Sequence, residues 1–168
     1  MTAQFPDTFC LDGQGFDLVT IHGAPLFSPA EYGLFPMPRI TACWRGYVCQ
    51  YGLREERLVL EKLSLNLPED AARPPIGGIV PEPFDRAVPR LFSTVYENLG
   101  LPVPFSGSLW IARGFIPELY VHMGFAPAWK YTQVRSLKFL DGRCTAQQDE
   151  SQAMEAVRRQ KAAQPESA

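Results

Sequence analysis

Hydrophobic and polar residues alternate with a period of two through the central part of the chain. The run TACWRGYVCQY (41–51) and the run LVLEKLSLNL (58–67) flank the polar stretch GLREER. Because successive side chains of a β-strand point to opposite faces, the alternation predicts two strands, and the polar stretch between them predicts a hairpin. The segment EERLVLEKLSL also fits a short helix, but its period of two favours a strand.

The alternation also predicts which side chains of the first strand share a face. Five side chains at alternate positions share one face: Cys43, Arg45, Tyr47, Cys49 and Tyr51. If the hairpin turns around residues 54 and 55, Glu61 lies across from Arg45 as a cross-strand partner. Gly46 has no side chain to pack, which indicates a bulge or a close backbone approach at this point.

Four further segments fit strands: FDLVTI (16–21), FSGSLWIARGF (105–115), ELYVHMGF (118–125) and YTQVRSLKFL (131–140). In ELYVHMGF the alternation sets Tyr120, His122 and Gly124 on one face and leaves the apolar residues between them to face the core. The tripeptide DGR at 141–143 predicts a tight turn. The last regular element is a helix with basic residues toward its end.

These elements predict one mostly β domain, a single antiparallel barrel or strongly bent sheet with a C-terminal α-helix. Residues 1–37 form a turn-rich segment packed on the same domain, and 38–147 form the antiparallel β core. A loop occupies 68–90, where prolines and glycines leave little room for regular structure. The helix spans 148–163, and the tail at 164–168 is expected to be disordered.

Composition and charge narrow the classes of function. The 168 residues carry a net charge of -2 and a hydrophobic fraction of 46%, which suits one domain with its own core. A near-neutral balance argues against a nucleic-acid binder, which needs a basic face to pair phosphates. The sequence starts without a signal-peptide pattern, and no apolar run approaches bilayer length. We therefore expect a cytoplasmic location without membrane contact.

The sequence contains no recognisable metal or cofactor motif. Its four cysteines form no CxxC pair, and its two histidines, His22 and His122, form no HxH or HExxH motif. PPIGGIVP lacks the glycine spacing of a phosphate loop, and FSGSLW lacks the second glycine of a nucleophile elbow. We therefore predict no metal, no cofactor, and free thiols that are buried.

Three segments together resemble a family of uncharacterised bacterial proteins. They are TACWRGYVCQYGLREERLVLEKLSL (41–65), PFSGSLWI (104–111) and YVHMGF followed by an aromatic pair (120–131). The family pattern has a Trp-Arg-Gly-Tyr strand, a leucine-rich partner strand, a Phe-Ser/Thr-Gly-x-Leu strand and then Tyr-Val-His-Met-Gly. Tyr51 stands where other members often carry a tryptophan. The resemblance covers roughly residues 40–142 and brings no known activity, so it implies bacterial relatives and not a function.

His122 and Arg45 are the side chains with the clearest chemical potential. An imidazole beside Tyr120 either forms a hydrogen bond on the sheet or acts as an acid or base. Arg45 beside Tyr47 either stacks on the ring, pairs with an acid or binds an anionic ligand. If the sheet closes into a barrel, aromatic residues line a ligand cavity. The predicted binding residues are Arg45, Tyr47, Tyr120, His122 and Trp129.

The sequence has no complete catalytic constellation, so the leading hypothesis is a non-catalytic small-molecule-binding or accessory protein. Two alternatives stay open. One is an enzyme on a small polar or anionic substrate, with His122 as acid or base and Arg45 as anion clamp. The other is a module that binds a protein partner, of the inhibitor or immunity type. An open sheet edge or the C-terminal helix would also allow a homodimer.

Overall fold

The computed structural model describes residues 2–83, 85 and 87–164. This part of the chain contains nine strands: β1 (Thr8–Leu11), β2 (Gln14–His22), β3 (Tyr47–Arg54), β4 (Arg57–Leu65), β5 (Thr94–Tyr96), β6 (Leu101–Pro102), β7 (Gly107–Phe115), β8 (Tyr131–Leu140) and β9 (Arg143–Asp149). One helix, α1 (Ser151–Ala163), follows them. Short 3-10 turns lie at Pro29–Tyr32, Pro117–Leu119 and Ala128–Lys130.

The described strands form one sheet that bends into a ring. Its order is β3-β1-β2-β7-β8-β9-β4-β5, and β3 also pairs with β4, which closes the ring. The pairs are antiparallel except for β1 and β3, which run parallel. Between β9 and β4 a single pair, Arg57 with Arg143, makes the contact. The prediction of a mostly β domain with a strongly bent sheet and a C-terminal helix is confirmed.

One apolar cluster fills the inside of the ring. Nine of its members that are at most 1% exposed come from β1, β4, β5, β7 and β8: Phe9, Leu58, Leu60, Leu63, Leu65, Tyr96, Leu109, Ile111 and Leu137. Cys49 of β3 and the loop residues Leu34, Leu67 and Ile76 are equally buried. Burying each such side chain contributes about 1.5–3 kcal/mol. This burial is the physical reason why alternating apolar positions along β4 and β7 specify strands.

A smaller cluster lies on the outer face of β7 and β8. Ala112, Tyr131 and Val134 are buried there, covered by the loop between these two strands and by Met154 of α1. Both strands are therefore buried on both faces over part of their length. The candidate site described below is built against this outer cluster.

The predicted hairpin is confirmed, with its turn one residue later than expected. Glu55 and Glu56 form the two-residue turn between β3 and β4, with φ of 50° and 62°. Positive φ at both central positions is typical of the type I′ turns that suit the twist of a hairpin. A bulge where β4 passes Glu61 shifts the alternation, so leucines before and after it all face the core.

The prediction that the first strand of the hairpin starts near residue 41 is wrong. Gly46 N–H donates to the carbonyl of Cys43 at 3.1 Å, so the chain turns there and enters β3 only at Tyr47. Gly46 has φ of 72°, a conformation that glycine adopts without strain. Arg45 thus precedes the sheet.

The predicted pair of Arg45 with Glu61 is also wrong. Glu61 accepts a hydrogen bond from Nε of Arg54 at 2.7 Å. Two shifts explain the error, since the hairpin turns one residue later than assumed and β4 carries a bulge at this position.

The predicted strand ELYVHMGF does not form, although all its residues are described. After β7 the chain makes the 3-10 turn Pro117–Leu119 and continues as a loop whose one sheet-like contact is a bridge between Gly124 and Ala3. Val121, Met123 and Phe125 are 53–58% exposed and do not face the core. β7 already has β2 on one side and β8 on the other, so it offers no open edge to this segment.

The sequence pattern predicts neither β1 nor β9, and it places the helix start too early. α1 begins at Ser151 because Asp149 still belongs to β9, where its carboxylate accepts a hydrogen bond from Ser151 N–H at 2.9 Å. The described part of the proline-rich stretch 68–90 contains no named strand or helix. Residues 165–168 of the predicted disordered tail lie outside the described residues.

The cysteines are free and differ in burial. Cys43 and Cys49 are 3% and 1% exposed, whereas Cys10 and Cys144 are half-buried. Burial raises the pKa of the Cys43 and Cys49 thiols, which keeps them protonated and unreactive at neutral pH. The prediction of buried thiols therefore holds fully for two of the four residues.

A thiol reagent such as Ellman's reagent is expected to label Cys10 and Cys144 of the native protein and to leave Cys43 and Cys49 unmodified. In denaturant all four thiols should react, because unfolding removes the burial that protects two of them. Absorbance of the released chromophore per chain measures both counts. The variant Cys49→Ser should leave the native count unchanged and lower the denatured count by one. A lower native count in this variant would contradict the burial of Cys49.

Candidate functional site

A cavity of about 190 Å³ lies between the N-terminal segment, β2 and the loop that joins β7 to β8. Its walls are mostly apolar. They are formed by Ala3, Gln4, Pro6, Leu18, Val19, Phe115, Tyr120, Val121, Met123, Gly124, Phe125, Ala126, Lys130 and Tyr131. The outer cluster on β7 and β8 forms its floor, and the segment predicted as a strand forms one side.

Gln4 attaches the N-terminal wall of the cavity to its neighbours. Its N–H donates to the carbonyl of Gly124 at 2.8 Å, which ties this wall to the β7–β8 loop. Its side-chain amide donates to the carbonyl of Thr41 at 2.8 Å and accepts from Trp44 N–H at 3.0 Å. The turn before β3 therefore holds one side of the cavity in place.

Arg45 and Asp7 hold the same N-terminal wall in place, at a position three residues after Gln4. Nη2 and Nη1 of Arg45 lie 2.7 and 3.1 Å from the two carboxylate oxygens of Asp7. Asp7 also accepts from Cys49 N–H at 2.8 Å, and its carbonyl accepts from Leu18 N–H. The Arg45 guanidinium lies 4.6 Å from the ring centre of Tyr47, as a cation–π contact. Arg45 and Tyr47 thus support the wall that carries Pro6 and Gln4.

Tyr120 and His122 lie on the opposite wall. Tyr120 lines the cavity and packs edge-on against Phe115, with ring centres 6.4 Å apart. The Tyr120 hydroxyl is 3.3 Å from Nδ1 of His122, which is itself exposed and does not line the cavity. Among the described residues no carboxylate contacts His122, so the imidazole lacks the orienting partner that acid–base catalysis uses.

Tyr131 and Asp17 form a polar contact at the floor. The Tyr131 hydroxyl donates to Oδ2 of Asp17 at 2.7 Å, and the Tyr131 ring packs edge-on against Phe115. Burial, together with the hydrogen bond and charge of Asp17, raises the pKa of Tyr131. The phenol stays protonated at neutral pH and acts as a fixed donor.

Lys130 belongs to the cavity lining, whereas its neighbour Trp129 lies outside the lining and contacts α1. Lys130 lines the cavity and is only 6% exposed. Its Nζ lies 5.3 Å from the ring centre of Trp129, and Nζ of Lys161 in α1 lies at the same distance. Nη1 of Arg158 donates to the carbonyls of Trp129 and Tyr131 at 2.7 and 3.2 Å. Three cationic side chains therefore surround Trp129.

The five predicted binding residues fall into two groups. Tyr120, His122 and Trp129 lie in or beside the cavity, and Arg45 and Tyr47 support its N-terminal wall. No hydrogen bond, ion pair or ring contact joins the two groups directly within the part of the chain that is described.

The sequence pattern does not predict two residues of this region. Lys130 stands between Trp129 and Tyr131 in the sequence, and a lone cation between aromatic residues was the available signal. Asp7 gave no local signal, because its partner Arg45 is 38 positions away.

No protein-family model, curated protein or solved structure matches this chain. In the described ranges, no group of three or more His, Cys, Asp or Glu residues is placed to hold a metal ion. None of the helices described here has both the length and the apolar character needed to cross a membrane.

Proposed function

We propose that the protein binds a small, mainly apolar molecule in this cavity without transforming it. The observation that carries the proposal is the cavity itself, with about 190 Å³ of space and mostly apolar walls. Apolar cavities of about 150 Å³ hold molecules of the size of benzene. Ligand sites are concave, mostly apolar and supplied with a few placed polar groups, which here are Lys130 and the Tyr120 hydroxyl.

The exposed apolar side chains on one wall add support. Tyr120, Val121, Met123 and Phe125 all line the cavity, and each is about half exposed. A bound apolar molecule would cover part of this surface, at roughly 25 cal/mol for each Å² removed from water. Covering a bound ligand would therefore explain why these apolar side chains lie exposed on the cavity wall.

The enzyme hypothesis has less support. Arg45 is already engaged by both carboxylate oxygens of Asp7, so it would have to leave that pair to clamp a substrate. His122 contacts Tyr120 and, within the described residues, no acid. A non-catalytic binding role requires neither rearrangement.

The substitution Ala126→Phe is expected to remove binding, because a phenyl ring in the cavity wall would occupy the ligand's space. Native mass spectrometry measures the bound ligand as mass added to that of the denatured chain. We expect wild-type protein to carry added mass, as purified or after incubation with 1-octanol, and Ala126→Phe to carry none.

The matched control is Ala72→Phe, which adds the same ring at an exposed site outside the cavity. It should retain the added mass of the wild type. Denaturant unfolding of both variants separates blocked binding from lost folding. If wild-type protein carries no added mass in either sample, or if both variants lose it equally, the cavity is not the binding site.

A protein partner is the second candidate, favoured by two exposed aromatic residues, of which Trp44 contacts Gln4 of the N-terminal wall. Trp44 is 59% exposed and Phe35 is 71% exposed. Exposed apolar patches are typical of interaction surfaces. The same native spectra distinguish the two candidates, since a partner adds the mass of a polypeptide. Trp44→Ser would then release it, and Ala126→Phe would not.

A further inference from the structure

Lys130 is a buried cation without an anionic partner. It is 6% exposed, and among the described residues its Nζ has neither an ion pair nor a hydrogen bond. Nζ lies over the face of Trp129, 5.3 Å from the ring centre. Lysine side chains are rarely buried to this degree unless they are paired.

The charges around Lys130 reinforce its need for an anion. Nζ of Lys161 shares the Trp129 ring, and Arg158 donates to two backbone carbonyls. None of these three cations forms an ion pair within the described part of the chain. The Asp17 carboxylate, at the same end of the cavity floor, accepts the hydroxyl of Tyr131. Among these described contacts three cations therefore stand against one carboxylate, Asp17, which forms no ion pair with any of them.

Lys130 places a positively charged side chain next to the apolar walls of the cavity. Lys130 lines the same cavity as Leu18, Val19 and Ala126. A molecule with an anionic end and an apolar body would meet the ammonium group with one end and the hydrophobic wall with the other. A charge-assisted hydrogen bond is stronger than one between neutral groups.

We infer that the ligand of this cavity is an amphipathic carboxylate, whose carboxylate group pairs with Lys130 and whose apolar part lies against the wall. This inference rests on the proposed binding function and adds the chemical class of the ligand. A free inorganic anion does not fit the observation equally well, because the rest of the lining is mostly apolar.

The experiment compares two probes of nearly equal size, octanoate and 1-octanol, by isothermal titration calorimetry. Lys130→Met removes the charge and keeps the length of the side chain. We expect it to weaken octanoate at least tenfold, which corresponds to about 1.4 kcal/mol, while 1-octanol changes less than twofold. Lys130→Arg, which keeps the positive charge, should recover most of the affinity for octanoate.

Lys161→Met is the matched control, because Lys161 contacts the same ring but is exposed and lies outside the cavity lining. It should change octanoate affinity less than threefold. Binding of 1-octanol also reports that each variant is folded.

The outcomes separate this inference from the proposed function. If Lys130→Met weakens both probes equally, or neither, the carboxylate assignment is overturned while the binding cavity stands. The same holds if wild-type protein prefers 1-octanol to octanoate. If wild-type protein binds neither probe and carries no added mass, both proposals fail.

Discussion

The substitution Asp7→Asn is expected to lower the free energy of unfolding by about 2–3 kcal/mol. The Asp7 carboxylate accepts three hydrogen bonds, two from Arg45 and one from Cys49 N–H. An amide has one acceptor oxygen and no charge, so the Arg45 guanidinium would lose its ion pair. The loss should stay below that of a fully buried pair because the Arg45 side chain is 36% exposed, and solvent there partly replaces the lost partner. Chemical denaturation with urea measures the change.

Asp70→Asn is the matched control, since Asp70 is an exposed aspartate. It should change stability by less than about 0.5 kcal/mol. The double variant of Asp7→Asn with Arg45→Met should lose clearly less than the sum of the two single variants, because each single change already breaks the pair. Additive losses would show that Arg45 and Asp7 do not depend on each other, contrary to their geometry.

The substitution Gly46→Ala should cost about 3–5 kcal/mol or prevent folding, in the range of severe backbone strain. A Cβ at residue 46 would lie 2.5 Å from the carbonyl oxygen of Met37 and 2.7 Å from its carbonyl carbon. That backbone cannot retreat easily, because Met37 N–H donates to the carbonyl of Asn66 and Asn66 N–H donates to that of Gly46. Thermal and urea unfolding of the variant measure the loss.

The variant Gly33→Ala separates the two causes of the loss expected in Gly46→Ala, which are the left-handed backbone and the clash with Met37. Gly33 has φ of 71°, against 72° for Gly46, but a Cβ there meets nothing within 4 Å. Its cost should be that of the left-handed backbone alone, about 1–2 kcal/mol. The difference between the two variants then measures the clash with Met37. Equal losses in both variants would mean that the close approach at Gly46 is not restrictive.

The sequence predicts the β3–β4 hairpin well because it is local. Burial of alternate leucines in β4 and a turn of two residues fix the pairing within one short segment. The close backbone approach expected at Gly46 is also seen. The pairing of Arg45 could not be predicted in the same way, because a turn shifted by one residue and a bulge at Glu61 change which side chains meet.

The loop after β7 shows that alternation of apolar and polar residues alone does not define a strand. ELYVHMGF has the pattern of a strand, but a strand also needs an edge with free hydrogen-bonding groups. β2 and β8 occupy both edges of β7, and Pro117, which lacks an N–H, opens the 3-10 turn that leads the chain away. The candidate site could also be predicted only in part, because tertiary contacts and not local sequence pattern define some of its residues. Tyr120 and Trp129 belong to this aromatic stretch, whereas Lys130 is defined by its burial and Asp7 by a contact 38 positions away.

Closure of the ring also sets the order in which the chain can fold during synthesis. Hairpins such as β3–β4 form within about 1–10 μs and need only residues that leave the ribosome together. β2, in contrast, pairs with β7, whose residues are roughly 90 positions later, and such long-range pairing is slow. The N-terminal strands must therefore wait, with Phe9 and Leu18 uncovered, until β7 and β8 have emerged. During that interval the nascent chain exposes apolar surface, and such exposure makes incompletely folded chains prone to aggregate.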